Sequence, residues 1–155
     1  MNQSVLLSAD NKYRFRLGRA WGPAPYACFI MLNPSIADAS VDDPTIRSCI
    51  RLAKAWGRGG FEVVNLFALR TTNPQELYHA DDPIGPDNDA HILAAVMWRS
   101  PVVVAWGMRG VFMNRDRAVL DLLRGIPLLC LGRTKTGAPR HPLYTRTCIE
   151  LEEYA

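Results

Sequence analysis

The chain lacks any run near the roughly 20 apolar residues that a membrane-spanning helix needs, so no bilayer partner is expected. Its opening, MNQSVLLSADNKYRF, has no positive leader ahead of an apolar stretch and a small-residue cleavage site, and a cytoplasmic location is expected. Cysteine is sparse and scattered: Cys28, Cys49, Cys130 and Cys148 include no C-x-x-C pair. That spacing argues against zinc or an iron–sulfur cluster, and Cys28 and Cys130 read as small core residues. Also missing are a G-x-x-x-x-G-K-[ST] loop, a G-x-G-x-x-G turn after a strand and a G-x-S-x-G elbow. Nucleoside-triphosphate hydrolysis, dinucleotide binding and serine-hydrolase chemistry are therefore disfavoured. No metal and no cofactor is expected. With no repeat, low-complexity tract or linker, residues 1–155 are expected to form one domain.

What is present suits a folded protein. The 155 residues are 48% hydrophobic and 21% charged, long enough to bury a substantial core. The net charge of +3 permits a nucleic-acid partner without demanding one.

Apolar runs alternate with helical patterns along the chain. Asp10-Asn11 marks an N-terminal β-hairpin, and KYRFRL alternates like a half-solvated strand. YACFIML, FEVVNLFAL, PVVVAWG and IPLLCLG read as four buried strands. Asp43-Pro44 predicts a helix start, with aspartate as cap and proline in the first turn. Ile46, Cys49, Ile50, Ala53 and Trp56 supply its apolar stripe, and GRGG ends it. A short helix is expected after Asn73-Pro74, and others over DNDAHILAAVMWRS, RDRAVLDLLRG and CIELEEY. Continuous apolar strands between helices predict an α/β three-layer sandwich around a mainly parallel, four-stranded central sheet.

In such sheets ligands bind beyond the carboxyl ends of the strands. Those ends read Asn33-Pro34-Ser35, Asn65, Gly107 and Gly132, with His141-Pro142 following. Asn33 before proline either initiates a turn or faces the cleft with its amide. Asn65 interrupts an apolar run, where it either ties down a loop or offers donor and acceptor to a planar base. His141, fixed by Pro142, is an acid–base or electrophile candidate, whereas His79 and His91 read as surface residues. In GRTKTGAPRH, Arg133, Lys135 and Arg140 form either a solvated loop or a phosphate-holding one.

These motifs identify the chain as resembling a domain-of-unknown-function family, through LNPS, DDPT, NLFALR, DPIGPDND, AWG and HPLY over residues 5–147. A weaker resemblance links it to the uracil-DNA glycosylase superfamily. Asn33-Pro34 is similar to that superfamily's mismatch-specific branch, VVNLFALRTTNP to the segment of the thermophilic branch that runs from asparagine to arginine, and HPLYTR to its histidine loop. The likeness implies a glycosylase-like fold that hydrolyses the N-glycosidic bond of a modified or deaminated DNA base. Asn33 would orient water, Asn65 would read the base and His141 would stabilise the leaving group. Pro34, Ser35, Phe67, Arg70 and Gly107 would complete the substrate pocket. Arg133, Lys135, Arg140 and Tyr144 would hold the nucleic-acid backbone. The chain departs from the pattern at Met31-Leu32, where a glycine is usual, and at Leu143, where the histidine motif has serine. Asp38, Asp42 and Asp43 would repel phosphate. Two alternatives follow: a non-catalytic nucleotide or nucleic-acid binding module, or an enzyme on a free nucleoside or small metabolite.

Overall fold

Residues 1–35, 42–143 and 145–155 are described by a computed structural model. In chain order the strands are β1 (Asn2–Leu7), β2 (Arg14–Ala20), β3 (Ala27–Met31), β4 (Gly60–Asn65), β5 (Val102–Val104), β6 (Leu129–Cys130) and β7 (Glu152–Glu153). The α-helices are α1 (Pro44–Ala55), α2 (Asn88–Val96) and α3 (Arg115–Leu122). Short 3-10 segments span Pro74–His79 and Met108–Asn114.

The apolar runs become strands because both faces of the sheet are covered. Cys28, Ile30, Val64, Val102 and Val104 pack against Ile92, Ala95 and Val96 of α2 and Val119 of α3. The alternate residues Phe29, Met31, Phe61, Val63 and Val103 pack against Ile46, Cys49, Leu52 and Ala53 of α1. α1 starts as its sequence demands: the Asp43 carboxylate accepts from the Ile46 amide at 2.8 Å, and Pro44 fills the first turn. Beyond its end, Gly59 lies so close to another loop that a Cβ would stand 2.0 Å from the Pro23 carbonyl oxygen. That contact is why GRGG needs glycine there.

The sheet itself corrects the four-stranded expectation. The four central strands β4-β3-β5-β6 do pair in parallel. They belong, however, to a mixed seven-stranded sheet of order β1-β2-β4-β3-β5-β6-β7. The open edges of β4 and β6 each present a row of unpaired amides and carbonyls. The N-terminal hairpin closes the first through β2, and β7 closes the second, both antiparallel. The closing helix expected over CIELEEY is corrected for the same reason. Glu152 and Glu153 lie extended, paired with Cys130 and Leu129.

β2 also departs from a half-solvated strand. Flanked by β1 and β4, it buries Arg14, Phe15, Leu17 and Arg19. Its cations are compensated by carboxylates remote in sequence: Arg16 pairs with Glu62, which also meets Arg99 at 2.5 Å, and Arg19 meets Asp42 at 2.9 Å. No helix among the described residues is long and apolar enough to cross a membrane.

Candidate functional site

The parallel strands end at one edge of the sheet, at Met31, Asn65, Val104 and Cys130. The chain leaves β3 for α1 on one face and β5 for α3 on the other. Divergent exits of this kind open a crevice between neighbouring strand ends. A cavity of about 190 Å³ lies there, and its wall includes Asn33, Asn65 and His141 together with Arg14, Asp43 and Trp106.

Asn65 is the last residue of β4 and only 3% exposed. Its position is fixed through the backbone. Asn88 Nδ2 donates to the Asn65 carbonyl at 2.9 Å, and Arg115 Nε donates to the Leu66 carbonyl at 2.8 Å. The Leu66 amide in turn bonds the Met31 carbonyl at 2.9 Å. Among the described residues the Asn65 side-chain amide makes no hydrogen bond, and it borders the cavity. It ties down no described loop.

Asn33 behaves differently. Its Nδ2 donates to the carbonyls of Thr71 and Pro34, at 3.0 and 3.1 Å. Both partners are acceptors, which fixes the amide orientation and leaves Oδ1 as the atom for the cavity. The turn-forming and the cleft-facing readings of this residue therefore coexist. Pro34 is buried, and Ser35 Oγ donates to Asp43 Oδ2 at 3.1 Å.

His141 stands at the rim. Its Nδ1 accepts from the Leu143 amide at 3.1 Å, so the neutral ring carries its proton on Nε2 and has a donor to offer. Loss of hydration pushes its pKa below the ordinary value, and the Asp43 charge pulls partly the other way. The linkage has a definite sign. As pH falls through and below 6.5, the unfolded chain takes up a proton that folded His141 resists, so this residue's contribution to stability is lost towards acid pH. Nitrogen-15 NMR is expected to show the Nε2–H tautomer and a titration midpoint below 6.5. A midpoint above that value, or a proton on Nδ1, would contradict the geometry.

His141 also borders a second, more open cavity of about 500 Å³, whose wall includes Gly107, Thr134, Arg140 and Arg146. Of the predicted basic group, Arg133 is engaged in holding its own loop. It donates to the carbonyls of Gly137 and Tyr154, each at 3.2 Å, and lies 4.3 Å over the Tyr154 ring. Arg140 lines the second cavity while its Nε donates to the Arg133 carbonyl at 3.3 Å. Lys135 is exposed. Phe67 is fully buried and packs on Phe112 at 5.6 Å, so it has no face to offer a ligand. Arg70 reaches away to the Asn11 carbonyl at 3.0 Å. Asp38 and Tyr144 lie outside the described residues.

Three wall residues escaped sequence reasoning as site residues. Arg14 looked solvated because KYRFRL alternates; it is 4% exposed, and desolvation lowers its pKa to about 10 despite the nearby Asp43. Asp43 was legible as a helix cap, not as a cavity group. Trp106 supplies an aromatic wall, held in place by Gly110, where a Cβ would stand 2.2 Å from its ring. The AWG that ends the third buried strand was the available signal for it.

Residues 14–143 match a family described as "Protein of unknown function (DUF1643)". No curated protein and no solved structure matches the chain. The likeness to uracil-DNA glycosylases thus rests on the short motifs alone.

Proposed function

The chain belongs to the DUF1643 family, and from its cavity we propose that it hydrolyses the N-glycosidic bond of a modified or deaminated base, as a DNA glycosylase does. One observation carries this reading: Asn33, Asn65 and His141, far apart in sequence, border a single cavity at the carboxyl edge of the parallel strands. The glycosylase-like motifs and their order point the same way.

In this reading the target nucleotide leaves the base stack, at a cost of a few kcal/mol, and its base enters the cavity. The Asn65 amide, which opens on the cavity without a described partner, exchanges donor and acceptor bonds with the base edge. Trp106 flanks it. His141 Nε2–H donates to the base as negative charge builds on it, which a neutral imidazole does without first losing a proton. Asn33 Oδ1 accepts from the attacking water and orients it. Arg140 and Arg146 in the adjoining cavity take the flanking phosphates.

The test is incubation with oligonucleotides carrying uracil, hypoxanthine and other altered bases, followed by alkali cleavage at abasic sites. Product is expected for at least one base, falling roughly 100-fold in His141→Ala. No product at stoichiometric protein with any of them overturns the reading.

A second reading, a binding module for a nucleotide or nucleic acid without catalysis, is favoured by the engagement of Asn33 Nδ2 with two loop carbonyls. It predicts salt-sensitive binding that leaves the strand intact and weakens in Arg140→Ala.

A further inference from the structure

We infer that Asp43 is the group that takes the proton from the attacking water, making it a catalytic residue of this site. The inference rests on the hydrolytic reading above and deepens it. Asn33 cannot serve, because an amide is not a base at neutral pH and its nitrogen is bonded to the carbonyls of Thr71 and Pro34. Asp43 is the one carboxylate among the described residues of the cavity wall. It is held in a single geometry by two donors, Ile46 N to Oδ1 at 2.8 Å and Ser35 Oγ to Oδ2 at 3.1 Å. A carboxylate has about four lone-pair sites, so each oxygen keeps an acceptor position for water.

The neighbouring charges suit the role. Arg14 on β2 and His141 beyond β6 both feel the Asp43 charge, while the adjacent Asp42 is engaged by Arg19 at 2.9 Å. The buried Asn65 amide opens on the same space without a described partner, which marks the cavity as built for a polar ligand.

The step balances as follows. Asp43 removes one proton from water, the water oxygen bonds to the sugar C1′, and the C1′–N bond breaks with its electron pair passing to the base. The base anion is held by His141 Nε2–H. It then receives the proton from Asp43 by way of solvent, leaving neutral base and an abasic sugar.

Asp43→Asn separates catalysis from capping, because asparagine is as good an N-cap as aspartate. The variant is expected to stay folded, with its melting temperature lowered by no more than the loss of the charge beside Arg14 costs, and to keep its affinity for an oligonucleotide bearing an uncleavable analogue. Turnover is expected to fall about 10²–10⁴-fold. Asp43→Ser, which also keeps a capping oxygen without a carboxylate, is expected to lose turnover by a similar factor and keeps the test open where Asp43→Asn fails to fold. Turnover of either variant within a few-fold of wild type overturns the inference and leaves the glycosidase reading standing. Absence of product from the wild type on every base overturns both.

Discussion

Asn65→Leu is expected to abolish ligand binding with little change in melting temperature. The amide it removes has no hydrogen-bond partner among the described residues and opens on the cavity, where water reaches its polar atoms. Leucine keeps similar bulk at the end of β4, beside Met31 and Val63 in the cavity wall. In a domain of this size each kcal/mol moves the midpoint by roughly 2–4 °C, and the midpoint is expected to stay within about that range by calorimetry. Binding of a base or base-bearing oligonucleotide should weaken at least about 100-fold, since a ligand group desolvated against leucine loses both of its bonds. A variant that is destabilised yet still binds would show that the amide serves the fold and not the ligand.

Arg115→Ala is expected to have the largest effect on stability. The guanidinium is 3% exposed, donates to the Leu66 carbonyl at 2.8 Å and meets Asp89 at 2.5 Å. Asp89 is 55% exposed and can return to water, so the full penalty of breaking a buried pair does not apply. The lost hydrogen bond and the space left by the side chain together cost about 3 kcal/mol, or a fall of roughly 10 °C in the midpoint. Binding should weaken as well, because the Leu66 carbonyl helps fix where Asn65 sits. Arg115→Met, which restores the stem without the charge, should recover part of the stability and little of the binding. Equal recovery of both would mean that packing alone positions the strand end.

The centre of the fold was open to reading because its signals are local. Unbroken apolar runs such as YACFIM need cover on both faces, and Asp43-Pro44 carries its capping chemistry within a few residues. The edges were closed to reading because their signals are not local. Arg14 and Arg16 look like one face of a solvated strand until Glu62 and the cavity are brought beside them. CIELEEY has the composition of a helix, and what decides its conformation is the free edge of β6. The site divides in the same way. Asn33, Asn65 and His141 stand where strands leave the core, and the parallel topology alone brings such positions to one rim. Arg14 and Asp43 reach that rim from a flanking strand and a helix cap, which no spacing in the sequence announces. Phe67 shows the converse: an aromatic two residues beyond Asn65 is turned into the hydrocarbon beneath it.

His141 borders two chambers at once, one of about 190 Å³ and one of about 500 Å³. A single imidazole is therefore a party wall, and the tenants on its two sides do not act independently. An anion lodged in the larger room favours the charged ring, while a cationic group in the smaller room favours the neutral one. Fragments that never touch would then inhibit one another in a mixed pattern instead of a purely competitive one.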